Sequence, residues 1–168
     1  PNKKKHRDRR YSMREITRMV GRSAEAIRKA EKAGQLPEPE KNERNRRVGY
    51  SLPQVNTMRR HFGTMPRRGP ADEPVIVAFQ NFKGGVGKST LCVHAGQYLA
   101  QLGYRVLVVD CDPQATSTAL FGLNPDVDIE RENTLTPFLQ GDTNAMTEAV
   151  QKSYFDQLDL IPSNLELY

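Results

Sequence analysis

The sequence of 168 residues predicts an α/β domain, in which helices cover both faces of a parallel sheet, preceded by a smaller domain made of helices. Residues 1–70 carry 20 Lys and Arg against 7 Asp and Glu, whereas residues 71–168 carry 5 against 13. The segment 63–74 holds three prolines and two glycines without apolar periodicity, which is typical of a linker. We therefore predict four parts: a basic arm (1–10), a helical domain (11–62), a linker (63–74) and an α/β domain (75–168).

The composition excludes several classes of protein. No apolar run reaches 18 residues, so a transmembrane span is excluded, and the basic N-terminus lacks the apolar stretch of a secretory signal. Two cysteines cannot form a disulfide framework, which indicates a cytoplasmic protein. We also expect no membrane partner. The chain begins with Pro1, so we expect it to start part-way into a longer protein. We expect the residues before Tyr11 to be disordered when unbound.

Three helices are predicted between residues 11 and 62. Ser12 and Glu15, and again Ser51 and Gln54, have the spacing of a capping box, and Ser23 is a third N-cap. Glycines at positions 21 and 34 end the first two helices. The predicted apolar faces are Met13, Ile16, Met19 and Val20 in the first helix, Ile27, Ala30 and Ala33 in the second, and Leu52, Val55, Met58 and Phe62 in the third.

Two short helices joined by a glycine turn are typical of a helix-turn-helix, whose second helix enters the major groove of DNA. Residues 37–50 are polar and rich in arginine, which indicates a β-ribbon or wing. Arginine offers a planar fork of donors that fits phosphate and guanine. The predicted DNA contacts are Arg22, Ser23, Glu25 and Arg28 at the start of the second helix, with Arg46 and Arg47 on the wing. The alternative is a solvated basic segment.

The segment from Tyr11 to Arg60 resembles the winged helix-turn-helix of MerR-type regulators. The resemblance is carried by YSMREITRMVGRSAEAIRKAEKAGQLP and by the later RRVGYSLPQVNTMRR. The long dimerising helix of those regulators does not follow. If the protein is a dimer, we therefore expect its dimer contacts to come from another part of the chain.

The second half opens with an apolar run, a glycine-rich turn and a helix. Residues 75–79 and 105–109 are predicted strands, and residues 89–102 are a predicted helix, so the three form a βαβ unit with a right-handed crossover. The helix carries one face made of Leu91, Ala95, Tyr98, Leu99 and Leu102. The turn reads Lys83-Gly-Gly-Val-Gly-Lys-Ser-Thr90, in which glycine N–H groups can cradle phosphate, a lysine adds positive charge and a hydroxyl can bind Mg²⁺.

Two motifs of the second half resemble a known family. KGGVGKST resembles the deviant Walker A motif of the ParA/MinD class of P-loop ATPases, with Phe82 where the strict Walker A motif has glycine. Asp110-Cys-Asp-Pro-Gln114 resembles the second motif of that class, DxDPQ, at the edge of the sheet where ligands bind in open α/β folds. Residues 115–122 and 154–167 are similar to plasmid-partition ATPases, in particular the RepA proteins of RepABC plasmids.

The resemblance implies a role for each motif residue. Lys83 reaches the nucleotide of the partner subunit in an ATP sandwich dimer, and Lys88 contacts the β- and γ-phosphates. Asp112 positions the attacking water, and the Mg²⁺ shell comprises Ser89, Asp110 and Asp112. The implied ATP- or ADP-binding residues are Lys83, Gly84, Gly85, Val86, Gly87, Lys88, Ser89 and Thr90. The alternative for both aspartates is turn capping after a strand.

Together the two resemblances imply an ATPase that partitions the DNA of a plasmid or secondary chromosome and represses its own promoter. The expected activity is slow, Mg²⁺-dependent ATP hydrolysis, stimulated by DNA and a partner protein. The expected partners are operator and nonspecific DNA, a ParB-type centromere-binding protein and a second copy of the chain. We expect association with the nucleoid. We also expect residues 75–168 to be an incomplete ATPase domain, with the Walker B strand and the adenine contacts lying beyond them.

One alternative remains open at this point, and two related classes of ATPase fit the sequence poorly. A nucleotide-responsive, MerR-like transcription regulator with little hydrolysis would also need the basic domain. MinD-type membrane ATPases share KGGVGKST but depend on a C-terminal amphipathic helix. The nitrogenase iron protein needs cluster cysteines, whereas Cys92 and Cys111 have no plausible ligand spacing and are interpreted as packing residues.

Overall fold

The computed structural model describes residues 9–144 and 146–167. The chain divides into two compact units between Arg67 and Arg68, inside the segment 63–74. Most of the predicted basic arm, residues 1–8, lies outside the described residues. None of the helices in the described residues has the length and apolar character needed to cross a membrane.

The first unit contains three helices and a two-stranded antiparallel ribbon. Its elements are α1 (Met13–Val20), α2 (Ala24–Lys32), β1 (Glu40–Lys41), β2 (Arg47–Gly49) and α3 (Leu52–Phe62). Ser12 and Ser51 form both predicted capping boxes, and Ser23 caps α2. These local elements are therefore as the sequence predicts, including the ribbon.

The core of the first unit is mainly apolar, and it also buries the polar side chains of Glu31, Asn56 and Arg59. The buried side chains include Ile16, Val20, Ile27, Ala30, Val55 and Met58. Ala33 is exposed, so its predicted inward position is wrong, because α2 ends at Lys32. Arg59 is only 2% exposed, and it donates to the carbonyl of Met19 at 3.1 Å and to Asn56 Oδ1 at 2.7 Å. Burial lowers the pKa of Arg59, and its hydrogen bonds join α3 to the end of α1.

The second unit is built around a three-stranded sheet in the order β3-β5-β4. Its elements are α4 (Lys88–Gln101), β3 (Val106–Val109), α5 (Thr116–Leu120), α6 (Thr136–Leu139), β4 (Gln151–Lys152) and β5 (Leu158–Ile161). Strands β3 and β5 run parallel, and β4 pairs antiparallel with β5. The predicted α/β class with a parallel sheet is confirmed.

Helix α4 packs closely on one face of this sheet. The contact uses the buried Val93, Gly96 and Ala100. A Cβ at Gly96 would lie 3.1 Å from Cγ2 of Val108 and 3.4 Å from Cδ1 of Leu158, so the missing side chain lets the helix approach the strands. The face predicted around Leu91 and Tyr98 does not form this contact, since those two residues are 60% and 61% exposed.

The opposite face of the sheet is covered at β5 and open at β3. Leu135, which precedes α6, and Ala149, which ends the 3-10 helix Thr147–Ala149, pack against Ile161. Leu107 and Val109 of β3 point the same way as Ile161 and remain 47% and 38% exposed. Helices therefore lie on both faces, but unequally.

The prediction of a strand at residues 75–79 is wrong in this structure. These residues have no regular secondary structure, and Val75 and Ile76 are 87% and 91% exposed. An apolar, β-branched run becomes a strand only where a neighbour satisfies its N–H and C=O groups. Among the described residues, no strand pairs with residues 75–79.

Candidate functional site

The candidate phosphate site is the loop that leads into α4. Gly87 is the N-cap of this 14-residue helix, with a left-handed φ of 86°, and no side chain of the described residues caps the helix start. Uncapped N–H groups and the helix dipole create partial positive charge at this end. The helix therefore begins with donors that an anion can satisfy.

The loop leaves room for a ligand. A Cβ at Gly84, Gly85 or Gly87 would meet no atom within 4 Å. Lys88 donates from Nζ to the carbonyl of Lys83 at 3.4 Å, so its ammonium group lies over the loop. The predicted nucleotide contacts form one continuous segment around the start of α4, from Lys83 to Thr90, and this segment includes the exposed Val86 and the half-buried Ser89.

One neighbour outside the motif shapes the loop. The Oδ1 atom of Asn81 accepts the backbone N–H of Lys83 at 2.9 Å. This two-residue Asx turn fixes the direction in which the chain enters the glycine-rich segment. The sequence reasoning missed Asn81, although asparagine two residues before a turn position is a recognisable signal.

Asp110, at the end of β3, is a buried structural acceptor. It is 3% exposed, and its Oδ2 accepts the backbone N–H of Thr118 at 2.9 Å and the Thr118 hydroxyl at 2.8 Å. Its Oδ1 faces the N–H of Asp112 at 3.3 Å. Both oxygens therefore accept hydrogen bonds from protein donors, as the capping alternative expects.

Asp112 differs from Asp110 because it is exposed. Its Oδ1 accepts the N–H of Gln114 at 3.0 Å, and its backbone carbonyl accepts the N–H of Ala115 at 2.8 Å. The turn thus fixes the carboxylate while leaving it accessible. Of the two predicted aspartates, Asp112 is therefore the one exposed to solvent.

Helix α4 and the end of β3 are close to one another at Cys92. Burial raises the pKa of this thiol, and the charges of Asp110 and Cys111 raise it further. Burial also raises the pKa of Cys111. Both thiols therefore stay protonated at neutral pH. Cys92 packs against the core, as predicted, whereas Cys111 is exposed, so its predicted packing role is wrong.

The donor set fits a phosphate-bound Mg²⁺ rather than a caged metal. In the part of the chain that the structure describes, no group of three or more His, Cys, Asp or Glu could hold an ion. Mg²⁺ needs no such cage, since it retains waters and uses one or two protein oxygens together with substrate phosphates. The Ser89 hydroxyl and the Asp112 carboxylate are oxygens of this kind.

The predicted DNA-contact residues on α2 fall into two groups. Ser23 uses its hydroxyl to accept the N–H of Ala26 at 3.2 Å, and Arg22 donates to the carbonyl of Phe62 at 3.3 Å while lying over that ring. Both side chains thus have structural roles. Glu25 and Arg28 are exposed on α2.

The two predicted ribbon arginines also differ. Arg46 is exposed in the turn between β1 and β2, where Asn42 Oδ1 accepts the N–H groups of Arg44 and Arg46 at 3.1 and 2.9 Å. Arg47 instead makes an ion pair with the buried Glu31 at 3.4 Å. The sequence reasoning missed Arg44, which lies beside Arg46 in an equally arginine-rich turn.

A pocket elsewhere in the second unit involves none of the predicted residues. It is lined by residues of the segment 131–149, among them Arg131, Phe138 and Asp142. Arg131 pairs with Asp142 across it. Neither the phosphate loop nor the DxDPQ turn contributes a lining residue to this pocket.

Comparison with known proteins identifies the second unit. Residues 75–168 match the family described as AAA domain, AAA_31. The chain is similar to protein SopA of Escherichia coli strain K12, with 43% identity over 164 residues, which are 95% of this chain and 42% of SopA. It is 31% identical over 157 residues to the cell division protein PomZ of Myxococcus xanthus, covering 94% of this chain and 43% of PomZ.

A third relative matches only part of the chain. The chromosome partitioning protein ParA of Caulobacter vibrioides is 37% identical over 92 residues, which are 55% of this chain and 33% of that protein. The chain thus spans less than half the length of these relatives.

Proposed function

Since the chain belongs to the AAA-domain family AAA_31, we propose that it carries the phosphate loop and DNA-binding unit of an ATPase that partitions plasmid or chromosomal DNA. The resemblance of its two motifs to the ParA/MinD class is confirmed by this family match and by the similarity to SopA. The observation that carries the proposal is the uncapped start of α4 behind an open glycine loop.

The phosphate loop positions the phosphates of the nucleotide and supplies positive charge. The N–H groups at the start of α4 and the Lys88 ammonium bind the phosphates, which is most of what phosphoryl transfer requires of a protein. The Ser89 hydroxyl would be a ligand of a bound Mg²⁺, and the metal would neutralise phosphate charge. Lys83 lies at the opening of the loop, where its side chain can serve the nucleotide of a second copy.

The DxDPQ turn contains two carboxylates with different roles, one structural and one reactive. Asp110 holds the turn through Thr118, and Asp112 remains exposed to orient the attacking water. In this account Asp110 supports the metal shell only by fixing the turn that carries Asp112. Catalysis therefore depends on both residues, for different reasons.

The first unit supplies the DNA contacts. Its helices α1 and α2 are joined by a glycine turn, and its ribbon projects Arg44 and Arg46. Exposed arginines of this kind neutralise phosphates. We propose that nucleotide state selects between binding to the protein's own promoter and sequence-independent binding as an ATP-bound dimer that engages a ParB-type partner. Nucleotide can switch the two only if the two conformers bind it with different affinity.

The experiment that tests the ATPase is turnover by the full-length protein with Mg²⁺, with and without duplex DNA. Lys88→Ala is expected to abolish ATP binding and hydrolysis. Lys83→Ala is expected to retain nucleotide binding yet lose turnover and the ATP-induced dimer. Normal hydrolysis by the Lys88 variant would contradict the phosphate-loop assignment, and an intact ATP dimer in sedimentation would contradict the role of Lys83.

A transcription regulator that senses nucleotide without turnover is the second candidate. The observation that favours it is the basic first unit, in which three helices and a ribbon are complete in the described residues. Such a regulator would show ATP binding and promoter binding but no DNA-stimulated hydrolysis.

A further inference from the structure

Glu31 is a buried carboxylate between helix α2 and the ribbon. Its side chain is 4% exposed, and Oε1 accepts the hydroxyl of Tyr50 at 2.6 Å while Oε2 pairs with Nη1 of Arg47 at 3.4 Å. The same Arg47 nitrogen lies 3.4 Å from the Tyr50 hydroxyl. The three side chains therefore form one connected cluster.

Tyr50 links this cluster to the start of the unit. Tyr50 is 2% exposed, and burial, together with the hydrogen bond to Glu31, raises its pKa, so the phenol stays a donor. The backbone of Tyr50 exchanges hydrogen bonds with Tyr11 at 2.8 and 2.9 Å, which fixes the end of the ribbon to the start of the unit. Glu31 thereby fastens the last turn of α2 to the ribbon.

The arginines of the ribbon are not equivalent in this arrangement. Arg44 and Arg46 lie at the turn, and in the described part of the chain neither has an ion-pair partner. Arg47, in contrast, forms an ion pair with the buried Glu31. If Arg47 turned to a DNA phosphate, the buried charge of Glu31 would keep the Tyr50 hydroxyl as its one partner among the described residues. Such a poorly paired charge is costly in a medium of low polarity.

We propose that Glu31 withholds Arg47 from DNA and uses it to position the ribbon against α2, so that Arg44 and Arg46 carry the phosphate contacts of the ribbon. This inference rests on the proposed DNA binding and deepens it. Glu31 and Arg47 are positioning residues, and the number of phosphates that the ribbon neutralises is set by the turn alone.

The test is the salt dependence of DNA binding by the full-length protein, measured by fluorescence anisotropy on a duplex carrying the sequence upstream of its own gene and on a scrambled duplex. Each phosphate contact contributes about −0.9 to the slope of log K against log salt. Arg46→Ala is expected to make the slope shallower by about that amount. Arg47→Ala changes a neighbouring arginine in the same ribbon. It is expected to lower the affinity, because the ribbon loses its ion pair with Glu31, but to leave the slope unchanged.

The Glu31→Gln variant is expected to change the salt dependence in the opposite direction. The amide oxygen can still accept the Tyr50 hydroxyl, while the loss of charge frees Arg47, so the slope is expected to steepen by about 0.9. Adding Arg47→Ala to this variant should restore the slope of the unmodified protein. This double variant controls for the change in net charge.

Two results would overturn the inference. One is a loss of slope in Arg47→Ala equal to that in Arg46→Ala, a comparison that does not depend on the folding of the Glu31 variant. The other is an unchanged slope in a folded Glu31→Gln protein. Absence of any duplex binding by the unmodified protein would instead contradict the proposed DNA-binding function itself.

Discussion

The carboxylate of Asp110 accepts both the backbone N–H and the hydroxyl of Thr118, at 2.9 and 2.8 Å. The Thr118 hydroxyl in turn accepts the N–H of Ser163 at 2.9 Å, and all three residues are buried. The end of β3, the start of α5 and the residues after β5 are thereby joined at one point. The DxDPQ turn is held by this internal network, and of its two aspartates Asp112 is the exposed one.

Asp110→Asn is expected to destabilise the second unit. Both oxygens of Asp110 accept protein N–H or O–H groups, so an amide must place its NH₂ against another donor. Burying such a mismatch costs about 1–3 kcal/mol. Amide hydrogen exchange in the peptides that contain α5 and the end of β3 should accelerate; unchanged protection there would contradict the structural role.

Asp112→Asn is the matched change two residues away. Asp112 is exposed, and an asparagine side chain can still accept the N–H of Gln114, so stability is expected to change by less than about 0.5 kcal/mol. ATP turnover should nevertheless be lost while ATP binding persists. Retained turnover would contradict a role for Asp112 in ATP hydrolysis.

Gly96→Val is expected to loosen α4 from the sheet. A Cβ already comes within 3.1 Å of Val108, so two further carbons have no space and overpacking costs about 1–3 kcal/mol. Thermal unfolding of the full-length protein measures the loss. Tyr98→Val, on the exposed side of the same helix, serves as the control and should have a smaller effect; equal effects would argue against close packing at Gly96.

Gly49→Ala is expected to disturb the ribbon more than Gly34→Ala disturbs the end of α2. Both glycines have positive φ, 127° and 71°, but a Cβ at Gly49 would lie 2.8 Å from the Tyr11 carbonyl oxygen, whereas Gly34 has open space. An alanine at either position would therefore be strained by the positive φ, at a cost of about 1–3 kcal/mol. A lower unfolding midpoint for the Gly49 variant is predicted, and a reversed order would refute the contact.

The stability of the first unit is expected to fall in acid through Glu15. Hydrogen bonds from the Ser12 backbone and hydroxyl, and then from Arg9, lower the pKa of Glu15 from its ordinary 4.5. Because the folded pKa is the lower one, the contribution is present above the unfolded value and is lost as the pH falls through the folded pKa. In Glu15→Gln, unfolding midpoints between about pH 6 and pH 3 should vary less than in the unmodified protein. An identical pH profile would show that this capping box does not contribute.

Local patterns were sufficient to predict the first unit. The capping boxes of Ser12 and Ser51 and the helices they begin depend on residues three or four positions apart. The ribbon could be predicted because its polar, arginine-rich turn lies between two helices. The position of the phosphate loop at the start of α4 was equally local, and the family match confirms the motif that identified it.

The errors and omissions arise from contacts between distant residues. Residues 75–79 have the composition of a strand, but composition does not provide a pairing neighbour. Helix α4 is apolar on more than one side, so periodicity could not show that Gly96 faces the sheet. The Asp110–Thr118–Ser163 network and the Glu31–Arg47 pair join residues that no sequence motif connects.

The most direct test of the account is DNA binding by the full-length protein at fixed salt, without nucleotide, with ADP and with ATP. Each condition is measured on the promoter duplex and on a scrambled duplex, because salt alone shifts such affinities. The account predicts that ADP favours the promoter and ATP favours binding to either duplex. If nucleotide leaves both affinities unchanged, the phosphate loop and the DNA-binding unit are uncoupled, and the central claim is wrong.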